Sequence, residues 1–240
     1  MDHKSLAKIP FILLATAGLH ASNSPPNSRA SVGDGAIITS SWERVIRSAT
    51  SIVYVYKFCL WIAAFAESAV IIATAFPSLP MSETILKYML FGGNGSHVRL
   101  TETSIIALFL SLLGARIRTG CFRELGQNFT FEMAIRKEHE LVTTGLYGIV
   151  RHPSYTGYVM TTIAVTLLHG ARGSWVRESG LLSMVVGKVI IGFLSLITWV
   201  VCGALLRRME EEDGELRKRF GLQWDHWASH VPYRLIPGLI

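Results

Sequence analysis

The chain has 240 residues, of which half are hydrophobic and only 17% are charged, and its formal net charge is +6. So few charges argue against an ordinary soluble globule, which carries about 25% charged residues. The basic excess lies beside apolar runs, so it points to orientation in a lipid bilayer and not to nucleic acid.

In chain order, the first apolar segment is "LAKIPFILLATAGLH", Leu6 to His20, interrupted by Pro10. It is short for a span, and the lysines before its apolar core also suit a cleaved signal peptide. Residues 21–41 are rich in Ser, Asn, Pro and Gly, which predicts a loop. A second span is expected over Ala49 to Phe76, ended by "PSLP", and a third from about Thr103 to Ile117. A polar block follows to Arg151. The fourth span runs from Ser154 to "LLHG" and the fifth from Gly180 to Leu206. Only "ARGSWVRES" separates these two, so an antiparallel helical hairpin is expected. The fold class is therefore all-α integral membrane, with about five transmembrane helices. The organisation is a helix and polar linker over 1–48, transmembrane helices over 49–117, and a catalytic region containing the hairpin over 118–240.

Lys and Arg concentrate in residues 21–48, 117–153 and 207–240, whereas the opposite loops carry only Lys4, Lys8, Lys87, Arg99, Arg172 and Arg177. The basic side is expected to be cytosolic. Asn94 of "NGS" then falls on the lumenal side and Asn128 of "NFT" on the cytosolic side. Lys57, Glu67 and Lys188 lie inside apolar runs, where charges are costly and often line a cavity. Lys57 and Glu67 are too far apart on one helix to pair. Cys59, Cys121 and Cys202 form no CxxC pair, and no His/Cys spacing predicts a metal site. No GxGxxG follows a strand, and no Walker motif or Ser/His/Asp signature is present.

Two polar stretches bracket the hairpin: "HELVTTGLYGIVRHPSYTG", His139 to Gly157, and "RRMEEEDGELRKRFGLQWDHWASHVPYRLIP", Arg207 to Pro237. The hairpin returns the chain to one membrane face, so they can meet. Arg208 and Glu212 share one helix face by their i,i+4 spacing, and Pro153 suits a helix start. Arg151 and Arg208 are expected to present two cations at that face. Trp224 and Trp227, three residues apart, predict one interfacial face of a tail helix.

Together these stretches resemble the isoprenylcysteine carboxyl methyltransferase family. The shared pattern is His139-Glu140-Leu141-Val142, Tyr147, "RHPSYTG", an Arg with a Glu four residues later, then "FGLQWDHWASHVPYRLIP". It covers roughly residues 115–240. The resemblance implies S-adenosylmethionine as cofactor, contacted by His139, Glu140, Leu141, Val142, Tyr147, His152, Pro153, Ser154, Tyr155 and Glu212. It implies catalytic roles for Arg151 and Arg208, with Arg208 holding the substrate. The implied methyl acceptor is the carboxylate of a prenylated protein C-terminus, or another lipophilic carboxylate, presented from the bilayer. The implied location is the endoplasmic reticulum, with the site facing the cytosol. The pattern departs in two places: "FEMAIRKE" lacks the expected Gln before His139, leaving Glu132 nearest, and tryptophans replace the usual tail tyrosines. Three other readings remain: a related methyltransferase acting on a terpenoid acid or phospholipid amine, an NADPH-dependent sterol-type reductase, which shares an RHP-like element, and a non-catalytic membrane scaffold.

Overall fold

The computed structural model describes residues 3–27, 41–131 and 140–239, and among these the regular structure is entirely helical. The helices are α1 (His3–Ser22), α2 (Ser41–Ala75), α3 (Ser82–Met89), α4 (Glu102–Leu125), α5 (Pro153–Gly170), α6 (Trp175–Glu178), α7 (Val185–Phe220) and α8 (Leu222–His230).

Four of the five expected spans, within α1, α2, α4 and α7, are long and apolar enough to cross a membrane. The remaining one, α5, forms with 18 residues. Its first two turns carry Ser154, Tyr155, Thr156 and Tyr158, which dilute its apolar character. Large apolar side chains stand exposed along α2 (Tyr54, Phe58, Phe65), α4 (Ile106, Phe109) and α7 (Val185, Val189, Phe193, Leu196). An apolar surface of that extent is suited to lipid tails.

Helix α7 exceeds its expected end. It holds 36 residues, about 54 Å at 1.5 Å per residue, against a hydrocarbon layer of about 30 Å. Its polar half, "RRMEEEDGELRKRF", therefore stays helical beyond the lipid, supported there by the Lys218–Glu215 pair. Gly221, at φ +53°, ends α7 and lets the chain turn into α8. The connection between α5 and α7 also differs from expectation. It runs to Met184 and contains α6 and a 3-10 turn at Leu181–Ser183, so α7 starts five residues after Gly180.

The chain forms two compact units. The first comprises residues 1–20, 54–113 and 160–198. Its core packs Ile12, Ala15 and Leu19 of α1 with Leu60 and Ala64 of α2, Ala107 of α4 and Leu168 of α5. Beside it, Val70 and Ile71 pack with Val98, Trp175 and Val176. Glu67, unpaired in the sequence reading, forms an ion pair with Lys8, and neither side chain is exposed to solvent. Lys8 Nζ also donates to the Gly173 carbonyl at 2.7 Å, and the Trp175 amide donates to Glu67 at 2.9 Å. Two buried charges thus pin the α5–α6 connection. Lys57 takes a different solution and lies 4.9 Å from the centroid of the Tyr54 ring.

The second unit comprises residues 21–53, 114–159 and 199–240. One core joins Ile46, Tyr155, Ala204, Leu205, Met209 and Leu235. Another joins Cys121, Tyr147, Trp224, Trp227 and Val231. The two tryptophans are therefore interior residues in T-shaped contact at 6.5 Å, not the interfacial pair that their spacing predicts.

Removing one member of the Lys8–Glu67 pair leaves the other charge buried and uncompensated, at a cost of about 3–5 kcal/mol. Lys8→Met should therefore lower stability by that order in denaturant unfolding of the detergent-solubilised chain, and Lys8→Met with Glu67→Leu should recover most of the loss. A single variant as stable as the parent would show that the pair contributes little.

Candidate active site

The second unit gathers the two polar stretches. Pro153 opens α5, and the His152 carbonyl accepts the amides of Tyr155 and Thr156, which closes its first turn. The tail lies along the preceding residues. The Arg151 amide donates to the Tyr233 carbonyl at 2.9 Å, and the His152 amide donates to the Arg234 carbonyl at 2.8 Å. Thr156 Oγ1 adds a bond to the Leu235 carbonyl at 2.8 Å. Farther along α5, Gly157 is needed for close approach: a Cβ there would meet the Gly114 carbonyl at 2.7 Å and Arg118 Cγ at 2.8 Å.

Arg118 of α4 fills the space beneath the first turn of α5. Its Nε donates to the Ser22 carbonyl at 2.7 Å, and Nη1 donates to the Ser154 carbonyl and hydroxyl at 3.2 and 3.4 Å. The rings of Phe122, Phe131 and Tyr158 lie 5.1–5.4 Å from its guanidinium. A buried cation is thereby satisfied by carbonyls and π-faces.

Helix α7 supplies two adjacent charge centres. At the first, Arg208 is only 3% exposed. Its Nε donates to the Tyr155 phenol oxygen at 2.8 Å, and Nη2 donates to the same oxygen. Nη1 donates to Glu43 at 2.9 Å and to the Phe131 carbonyl at 2.9 Å. The Tyr155 hydroxyl in turn donates to Glu212 at 2.5 Å. One phenol so receives from the arginine and gives to the glutamate, which uses its single hydrogen and its lone pairs. Glu212 keeps 31% of its side chain exposed and lies 3.8 Å from Arg208 Nε.

At the second centre, Asp213 takes Arg151 Nη1 at 2.8 Å, His152 Nε2 at 3.1 Å and Arg234 Nε at 3.5 Å. Arg151 Nη2 donates to the Pro232 carbonyl at 3.0 Å, and its guanidinium lies 5.8 Å from the Trp224 ring centroid. The His152 ring stacks on Tyr155 at 5.3 Å and 13°. Bound to a carboxylate through Nε2, His152 is held in one ring orientation.

The Gly145–Gly148 turn carries Tyr147 and is fixed by Glu124, which accepts from the Leu146 amide at 3.2 Å. The Tyr147 carbonyl accepts Trp227 Nε1 at 3.1 Å. Burial, with the Cys121 thiol beside it, raises the Tyr147 phenol well above its usual range, so it serves as a neutral hydroxyl. Leu141 and Val142 pack on the same core, whereas Glu140 is exposed.

The structure thus brings together Arg151, His152, Pro153, Ser154, Tyr155, Arg208 and Glu212, with Tyr147, Leu141 and Val142 around the neighbouring tryptophans. His139 and Glu132 lie outside the described residues. The pair of free cations expected at Arg151 and Arg208 is instead a pair of neutralised ones. Four participants escaped the sequence reading: Glu43, Arg118, Asp213 and Arg234. Only Glu43 carried a local hint, since Arg47 follows it at i,i+4 and pairs with it at 3.2 Å. Asp213 sits in an acidic run, and nothing local separates it from Glu210 and Glu211.

Residues 105–177 match the isoprenylcysteine carboxyl methyltransferase (ICMT) family. The chain is 28% identical over 152 residues to protein-S-isoprenylcysteine O-methyltransferase B of Arabidopsis thaliana, covering 62% of this chain and 66% of that protein. It is 30% identical over 128 residues to the protein-S-isoprenylcysteine O-methyltransferase of Schizosaccharomyces pombe, covering 52% of this chain and 46% of that protein. The chain therefore spans just under two thirds of the first relative and about half of the second. It is also 26% identical over 98 residues to the Delta(14)-sterol reductase of Mus musculus, covering 41% of this chain and 19% of that protein.

Asp213→Ala should strip Arg151 and His152 of their shared anion and release the tail, with a loss of about 3 kcal/mol expected for breaking a buried pair. Thermal unfolding and limited proteolysis after Arg234 would measure it. A variant that melts and resists cleavage like the parent would remove Asp213 from this role.

Proposed function

We propose that the chain is a member of the isoprenylcysteine carboxyl methyltransferase family and that it transfers a methyl group from S-adenosylmethionine to the carboxylate of a C-terminal prenylcysteine. The observation that carries this reading is the buried Arg208 guanidinium, cross-linked through Tyr155 to Glu212 beside the "RHPSYTG" turn.

The residues present suit a polar cofactor. Among the described residues, Arg151 Nε and the neighbouring Trp224 Nε1 are buried donors with no hydrogen-bond partner. An unpaired buried donor is costly, and a bound group rich in oxygen and nitrogen acceptors would relieve it. Half-exposed Glu212 offers an anion for ribose hydroxyls or an ammonium. The side chains assigned to hold the cofactor are His139, Glu140, Leu141, Val142, Tyr147, His152, Pro153, Ser154, Tyr155 and Glu212. The cofactor supplies an activated methyl group on a sulfonium sulfur.

The chain's own task is positioning. A carboxylate is already ionised at neutral pH, so no side chain need remove a proton. Methylation would turn that anion into a neutral ester, so the chain's residues would hold a charge before the transfer and release a neutral group after it. What remains is to hold the carboxylate in line and keep water out. Arg208 provides a planar fork for a carboxylate, and Arg151 lines the adjacent centre. Because α7 continues past the hydrocarbon, Arg208 lies where a lipid-anchored acid can reach it.

In this reading residues 118–240 form the catalytic region. Residues 49–117 supply transmembrane helices, and residues 1–48 an N-terminal helix and linker. The basic bias of the loops supports a cytosol-facing site, and the proposed compartment is the endoplasmic reticulum. The proposed partners are prenylated proteins and the bilayer.

Methyl transfer from labelled S-adenosylmethionine to an N-acetylated S-farnesylcysteine, in membranes, tests the reading. Arg208→Lys keeps the charge but not the fork, so kcat/KM for the acid should fall on the order of 10- to 100-fold. Affinity for S-adenosylmethionine should be nearly unchanged. Normal methylation by this variant would reject the carboxylate-holding role and favour an amine or hydroxyl acceptor.

A further inference from the structure

The guanidinium assigned to the methyl acceptor already holds a carboxylate. Glu43, from the first turn of α2, is fully buried. One of its oxygens lies 2.9 Å from Arg208 Nη1, and the other lies 3.2 Å from Arg47 Nε. Four of the five N–H groups of Arg208 are engaged, by Tyr155 through Nε and Nη2 and by Glu43 and Phe131 through Nη1. An arriving carboxylate cannot take two prongs of this fork unless a present partner leaves.

Charge selects the partner that leaves. Arg208 already faces Glu43 and Glu212. A third anion beside them, in a dry setting, would be repelled by both. Tyr155 is neutral and also anchors Glu212, so its departure would relieve no repulsion. Glu43 is anionic, and its neighbour Arg47 gives it a second cation to stay with. Its displacement therefore strands no charge.

We propose that Glu43 is a built-in counter-ion, a positioning residue that occupies Arg208 between turnovers and gives way to the carboxylate of the methyl acceptor. The inference rests on the carboxyl-methylation reading above. It also gives the cycle a direction. The acid can replace Glu43 because it brings an equal charge. The ester product is neutral, so a site holding ester with Glu43 displaced leaves Arg208 buried without an anion. Return of Glu43 restores the pair and favours release of the ester. A ligand that needs a partly occupied site binds with an affinity reduced by the fraction of time that the site is open.

Glu43→Gln keeps the shape and removes the charge. In initial-rate assays of the full chain with labelled S-adenosylmethionine and N-acetylated S-farnesylcysteine, its KM for the acid should fall roughly tenfold. Inhibition by the methyl ester of the same compound should strengthen, and KM for S-adenosylmethionine should stay as in the parent. Arg47→Met should act in the opposite sense and raise KM for the acid, since displaced Glu43 would lose its second cation; it also serves if the Glu43 variant fails to fold. A parent chain that methylates the acid, together with variants whose KM for it is unchanged or moves against these signs, overturns the exchange and makes Glu43 a fixed support of Arg208. A parent chain inactive on the acid overturns the carboxyl-methylation reading, and the exchange with it.

Discussion

A guanidinium with 3% exposure must be surrounded by groups that compensate its lost hydration. Arg208 finds them in α2, α5 and its own helix: Glu43, the Tyr155 phenol and Glu212. One turn away, Asp213 does the converse and collects Arg151, His152 and Arg234. Four cations, Arg47, Arg151, Arg208 and Arg234, thus meet four anions, Glu43, Glu210, Glu212 and Asp213. Much of the second unit follows from that balance. The tail must lie against "RHPSYTG" for Arg234 to reach Asp213, and the start of α2 must fold inward for Glu43 to reach Arg208. Electrostatic compensation, more than apolar packing, sets which segments are neighbours here.

The first unit meets the same constraint with fewer groups. Lys8 and Glu67 are both fully buried, and each spends its remaining capacity on the backbone of the α5–α6 connection. A loop that length alone would leave loose is tied to two transmembrane helices. Trp175 reinforces the tie by donating its indole N–H to the Met89 carbonyl at 2.9 Å.

The sequence disclosed the helices because their signals are local. Length and apolarity mark α2, α4 and α7, and Pro153 marks the start of α5. The Arg208–Glu212 spacing placed both residues on one face, and their meeting with Tyr155 followed from the hairpin. The failures share a cause. Glu67 finds its partner 59 positions away in Lys8, and Glu43 finds Arg208 across 165 positions, distances at which no periodicity carries information. Trp224 and Trp227 have the spacing of a surface stripe, yet Cys121 and Tyr147 cover them. The turns of α7 beyond Glu212 were missed because they are charged and lack the apolar pattern by which a helix is recognised.

The order of the compensating charges along the chain has a consequence for biosynthesis. Glu43 leaves the ribosome first, then Arg118, then the Arg151–Tyr155 turn, and only afterwards Arg208 and Asp213. Arg234 and the backbone partners at Tyr233 and Leu235 come later still. Until Arg208 and Asp213 are made, Glu43 has only Arg47 for a counter-ion, and Arg151 lacks the carboxylate it pairs with. Such a group stays hydrated, which holds its segment away from the forming core. The contacts of Tyr233, Arg234 and Leu235 with the "RHPSYTG" turn can form only after residue 235 has cleared the ribosome, so the second unit is completed late in synthesis.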